Sequence, residues 1–290
     1  MARKLIFLLL FALFFSCILM AQQWWERKPH ADWSEEQADQ ILNNSPWVGL
    51  SVAQLNRAEH ESLTAVGLQP NWPVNYRIRL LTARPVREAL LTVISFAGGT
   101  AYEPGAEATI KVGERKPGDV EVKRQARLKE LMDENPDDIL VKGDDENIIV
   151  TITLTQFLQG WLPGQYEVQQ HSGVGSDRNP QMIGIEPSRR KPGWQEAARP
   201  EILMRLRSSD LTGCTFLSTK NGKRVPVIRY DPPAMDALGG RFQFSRKLPD
   251  GTPFVTPGDK ELQFETCING KQVKVKFDLR KMIYKGKLEI

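Results

Sequence analysis

Phe216-Leu217-Ser218-Thr219-Lys220-Asn221-Gly222-Lys223-Arg224-Val225-Pro226-Val227 and, 48 residues later, Phe264-Glu265-Thr266-Cys267-Ile268-Asn269-Gly270-Lys271-Gln272-Val273-Lys274-Val275 decide the architecture. Each sets Asn-Gly between two runs that alternate apolar and polar residues. Asn and Gly reach positive φ cheaply, so both stretches read as β-hairpins. Phe216 matches Phe264, Val225 matches Val273 and Val227 matches Val275, and the match stops there. One hairpin solution used twice explains this better than an internal repeat.

Around these hairpins about seven short strands alternate with turn signals. They start near Ile202, Thr215, Arg224, Gly240, Glu261, Lys271 and Ile283. That spacing predicts an antiparallel β-sandwich over residues 201–290. The link Pro232-Pro233 to Gly239-Gly240 reads as a stiff crossover between its sheets. Residues 171–200, rich in Gly, Pro, Ser and Asn, read as a loop or linker.

Upstream, residues 71–170 read as a smaller α+β region. Tyr76, Ile78 and Leu80 alternate with Arg77 and Arg79, the pattern of a half-buried strand. Pro85 opens one helix, and a second spans Val120 to Met132 before Asn135-Pro136. Ile139-Leu140-Val141, the turn at Gly143-Asp144-Asp145 and Ile148 to Thr153 read as a further hairpin. Residues 22–70 form a helical arm in which Trp24, Trp25, Trp33 and Trp47 fall within 24 residues. Ser34 and Gln37 make a capping box for a helix to about Leu42, and Trp33 is placed to staple onto Ala38. Rings of this size bury much area, so the arm is expected to dock on its own domain. The whole chain is thus a β-rich α+β protein.

Residues 1–21 read as a signal peptide. Arg3-Lys4 is a cationic start, Leu5 to Met20 carries no charge, and Ala21 precedes polar Gln22-Gln23. Its 16 uncharged residues fall short of the roughly 20 that span a bilayer. Cleavage after Ala21 leaves no transmembrane helix and a secreted or periplasmic protein. The alternative is lipidation at Cys17, after Phe14-Phe15-Ser16. Without Arg3 and Lys4, 39 basic residues become 37 against 35 acidic, a net of about +2. The basic residues are scattered, and Ser188-Arg189-Arg190-Lys191 is the densest block. This balance gives no footprint for nucleic acid.

The mature chain keeps two cysteines, Cys214 and Cys267. They read either as a disulfide, which an oxidising compartment permits, or as two separate buried thiols. No metal site follows from their spacing. His60-Glu61-Ser62-Leu63-Thr64 starts like a zincin helix but has Thr64 where the second His belongs. His171 stands beside Gly173 and Gly175 without the context of a phosphate loop. Asp137-Asp138 and Asp144-Asp145-Glu146 lack the calcium-loop pattern, and the turn explains the second pair. No catalytic residue, metal ligand or cofactor is assigned.

Trp33-Ser34-Glu35-Glu36, Ile41-Leu42-Asn43-Asn44-Ser45-Pro46-Trp47 and the ending Phe277 to Leu288 resemble uncharacterised secreted proteins of soil bacteria such as acidobacteria. The resemblance covers the two ends of the mature chain and implies export without an assigned activity. The leading expectation is a non-enzymatic envelope or secreted protein that binds an unknown macromolecule. Its rivals are a secreted hydrolase acting on polysaccharide or peptide, and a structural envelope component.

Overall fold

A computed structural model describes residues 24–64, 68, 73–97, 117–158, 193–197, 200–234 and 238–290. Residues 1–23, with Cys17 and Ala21, His171 and the 188–191 block lie outside the described residues. The chain divides into two compact units, one of residues 1–45, 82–143 and 281–290, the other of residues 46–81 and 144–280.

The first unit is helical. It holds α1 (Trp24–Arg27), a 3-10 turn (His30–Asp32) and α2 (Glu35–Asn44). Ser34 Oγ accepts from Gln37 N at 3.2 Å, and Gln37 Oε1 accepts from Ser34 N at 3.0 Å, which completes the expected capping box. Trp25 and Trp33 are buried, so the arm spends its rings inside the protein. In the second unit come β1 (Val48–Val52), α3 (Arg57–Thr64) and β2 (Asn75–Leu80). The helical unit resumes with α4 (Arg84–Ala97), α5 (Pro117–Glu134) and α6 (Ile139–Lys142). Here Ile139-Leu140-Val141 is not a strand. Asp138 Oδ1 accepts from Leu140 N at 2.7 Å and caps one helical turn.

The second unit continues with β3 (Asn147–Leu158), β4 (Gly193–Ala197), α7 (Glu201–Met204) and α8 (Ser208–Leu211). Then come β5 (Phe216–Thr219), β6 (Arg224–Asp231), β7 (Gly240–Ser245), β8 (Glu261–Ile268) and β9 (Lys271–Asp278). A short ladder of β10 (Ile283–Tyr284) and β11 (Lys287–Leu288) ends the chain in the helical unit. Ile202 begins no strand and lies in α7, after Pro200. The other expected starts stand within a residue of an observed one.

All pairing is antiparallel, along β1-β2-β3-β7-β6-β5-β8-β9, with β4 also on β3. The β-rich antiparallel architecture is as expected, but its strands are drawn more widely. The expected sandwich uses the last ninety residues alone, whereas this sheet takes β1, β2 and β3 from earlier in the chain. It curls until β1 lies beside β9, nearly closing a barrel. Gly49 makes that approach possible: a Cβ there would stand 2.0 Å from Val275 Cγ1. A bulge between Val227 and Arg229 bends β6. Phe242 and Phe244 of β7 then meet Phe264 of β8 at 5.2 and 6.1 Å between ring centroids, edge to face. β6 and β7 are paired neighbours, so the Pro232-Pro233 link joins adjacent strands and is no crossover.

The Asn-Gly turns differ. Ile268 pairs with Lys271, leaving Asn269 (φ 50) and Gly270 (φ 72) as a two-residue type I′ loop. In the other, Gly222 N donates to Thr219 O at 3.1 Å and Thr219 N to Lys223 O at 2.9 Å. That closes a three-residue loop in which Gly222 alone has positive φ. Consequently Phe216 pairs with Pro226 but Phe264 with Val275, a one-residue difference in register. The same dipeptide is used in two ways, which corrects the single-solution reading.

β2 is not half-buried. Arg77 and Arg79 are only 1% and 6% exposed, like Tyr76, Ile78 and Leu80 on the opposite face. Alternation identifies the two faces of a strand but not whether the polar one is covered.

Candidate functional site

Where β1 leads into α3, Asn56 starts the helix with a second capping box. Asn56 N donates to Glu59 Oε2 at 2.7 Å, and Glu59 N donates to Asn56 Oδ1 at 2.9 Å. Asn269 Nδ2, at the tip of the β8–β9 turn, donates to the other oxygen of Glu59. Lys271 Nζ donates to Gln54 O at 2.6 Å. The hairpin tip is therefore fastened to the start of α3 from both sides of the turn.

Beside this junction opens a cavity of about 300 Å³. Leu55, Ala58, Leu63 and Ile202 give it apolar walls. Glu59, Ser62, Glu201, Arg205 and Asn269 supply the polar groups. Glu201 and Arg205 form an ion pair one helical turn apart. Ser62 Oγ donates to Glu59 O at 2.8 Å. Tyr76 is buried with the charge of Glu59 nearby, and burial first, then that charge, raise its phenol above the usual range.

The same end of the sheet carries the disulfide. Cys214 and Cys267 are bonded, with Cα atoms 5.9 Å apart, inside the usual range. Of the two open readings the bonded one is observed. Cys267 stands two residues before Asn269, so the bond restrains the strand that delivers the cavity's amide. Such a bond persists in an oxidising compartment.

The helical unit holds a second group of titratable side chains. Glu88 on α4 is 6% exposed. Its Oε1 accepts from Arg84 Nε at 2.8 Å and lies 3.5 Å from His30 Nδ1. Its Oε2 accepts from the Tyr284 hydroxyl at 2.5 Å. Burial, then the bond to Glu88, push the Tyr284 phenol well above its ordinary range. Burial lowers the proton affinity of His30; the charge of Glu88 opposes this, and those of Lys285, Arg84 and Arg124 reinforce it. Arg84 and Glu88 are four apart on a helix and were legible as a pair. Tyr284, 196 residues further on, gave no local signal.

The remaining expected groups play local roles. Asp144 Oδ1 accepts from Glu146 N at 2.9 Å and Asn147 N at 2.7 Å, which is turn chemistry. Among the described residues no three His, Cys, Asp or Glu side chains gather as a metal site. His60 Nδ1 is buried without a hydrogen-bond partner among those residues. No described helix is long and apolar enough to cross a membrane. Comparison of the chain with protein-family models, characterised proteins and solved structures finds no match.

Proposed function

We propose that the protein is exported and acts as a non-enzymatic binding protein of the envelope or exterior. Its contact face is the end of the curled sheet where β1 runs into the cavity. One observation carries this reading. Leu50 and Val52 are 42% and 68% exposed on one face of β1, and three residues later Leu55 joins the cavity wall. Exposed apolar side chains leading to a part-polar cleft fit a macromolecular surface with a protruding group. The leader-like residues 1–21, the disulfide and the resemblance of both chain ends to secreted proteins of soil bacteria support export.

The polar groups of the cavity favour binding over catalysis. Both oxygens of Glu59 already accept hydrogen bonds, as helix cap and hairpin anchor. Glu201 is tied to Arg205. A hydrolase reading has one point in its favour, the two carboxylates in one cleft. It predicts turnover of a polysaccharide or peptide that Glu201→Gln abolishes.

Val52→Glu places a charge on the most exposed apolar side chain of β1 and leaves the core alone. Tagged wild-type and Val52→Glu proteins are compared in a crosslinking pull-down from the native envelope. Recovery of the wild-type partner is expected to fall by about tenfold or more, as for a charge buried at an interface. Equal recovery contradicts the proposed face.

A further inference from the structure

We propose that mild acid releases the N-terminal arm from α4 through His30, making the arm a pH-operated latch. His30 sits in the 3-10 turn of the arm with its side chain 19% exposed. The carboxylate it faces is already in use: Arg84 holds one oxygen of Glu88 and Tyr284 the other. Three cations act on His30. Arg84 comes from α4, Lys285 from the C-terminal tail and Arg124 from α5. Arg124 is paired with Glu121 and donates to Ala31 O, beside His30. The backbone N of Arg84 donates to Glu289 at 3.3 Å. A proton on the docked His30 therefore faces a carboxylate already shared by two donors, with Arg84, Lys285 and Arg124 opposing it, in a site that is only partly open to water.

The direction of the pH effect follows. Docked His30 binds a proton less readily than free histidine, so the released arm takes up protons that the docked arm refuses. Docking is strongest above the ordinary histidine value of about 6.5 and weakens below it, by up to about tenfold per pH unit until docked His30 itself protonates. Release frees Trp25 and Trp33, which are 5% and 1% exposed when docked. Their large apolar rings then become available at the surface.

Hydrogen exchange of the intact mature protein, read by mass spectrometry at about pH 7.5 and about pH 5.5 and corrected for intrinsic rates, tests the latch. In the wild type, peptides over residues 24–33 are expected to lose protection several-fold at the lower pH, while β8–β9 peptides keep theirs. His30→Gln, neutral at both pH values, is expected to hold the arm equally at both. Lys285→Gln removes one opposing cation and is expected to shrink the wild-type drop. The proposal is overturned if the wild-type arm keeps its protection, if the whole protein loses protection together, or if His30→Gln drops as much as wild type. Should His30→Gln leave the arm unprotected at both pH values, Lys285→Gln decides: a reduced drop supports the latch and an unchanged drop overturns it.

Discussion

Tyr284 donates its hydroxyl to Glu88 at 2.5 Å, joining the C-terminal tail to a helix 196 residues earlier. The bond is buried, and losing it leaves that oxygen of Glu88 without its tyrosine donor. Tyr284→Phe is therefore expected to destabilise the helical unit by about 1–3 kcal/mol, the cost of a buried charge losing a donor. Urea unfolding of both proteins measures the difference. A change within about 0.3 kcal/mol, the additivity error between unrelated sites, would mean the bond contributes nothing net.

Asp259 predicts a pH dependence. Its side chain is fully buried, accepting from Thr256 N at 2.8 Å, Asn221 Nδ2 at 2.8 Å and Lys223 Nζ at 3.0 Å. Burial opposes ionisation, but the bonds from Thr256 and Lys223 outweigh it and hold the carboxyl below its usual range. A lowered value stabilises the fold above the unfolded carboxyl's ordinary value of about 3.9, and the benefit fades as pH falls toward the folded one. Asp259→Asn should cost stability at neutral pH, and the gap from wild type should narrow below about pH 4. A gap that is constant from pH 7 to pH 3 would contradict the assignment.

Gly49 and Gly270 separate steric demand from backbone conformation. Gly49→Ala puts a methyl against Val275, where β1 meets β9, and is expected to cost about 1–3 kcal/mol by overpacking. Gly270→Ala meets nothing within 4 Å, but φ is +72°, so about 1 kcal/mol is expected from the left-handed backbone alone. Thermal unfolding of the two variants should rank Gly49→Ala as the more damaging. The reverse order would show that β1 and β9 can part without loss.

The Cys214–Cys267 bond spans 53 residues. Loop-closure entropy for that length gives about 4 kcal/mol, less any strain. Reduction, or the Cys214→Ser/Cys267→Ser double variant, should lower the urea midpoint accordingly. Thiol labelling of the unfolded, unreduced protein should leave both Cys214 and Cys267 unlabelled. Two free thiols would return the pair to the separate-thiol reading.

Local signals carried the sequence reading well and long-range ones escaped it. Ser34 and Gln37 stand three apart and announced their helix cap. The starts of β5 to β9 were legible because turn residues and alternation are encoded in neighbouring positions. Ile139-Leu140-Val141 misled, since three apolar residues fit a strand or one helical turn and only the Asp138 cap distinguishes them. The walls of the sheet were misassigned because the β3–β7 pairing joins residues about ninety apart, which hairpin logic does not reach. The cavity was missed for the same reason. Glu59, Glu201 and Asn269 come from three distant segments, and the one local clue, Asn56 followed by Glu59, was passed over for the zincin-like letters beside it.

The proposed contact surface is β1 with the neighbouring cavity. A photoreactive amino acid at Val52, with a control at exposed Ile228 on β6, tests it most directly in the native envelope. One abundant crosslinked product is expected from position 52 and none from position 228. No product from position 52, or the same products from both, would contradict it.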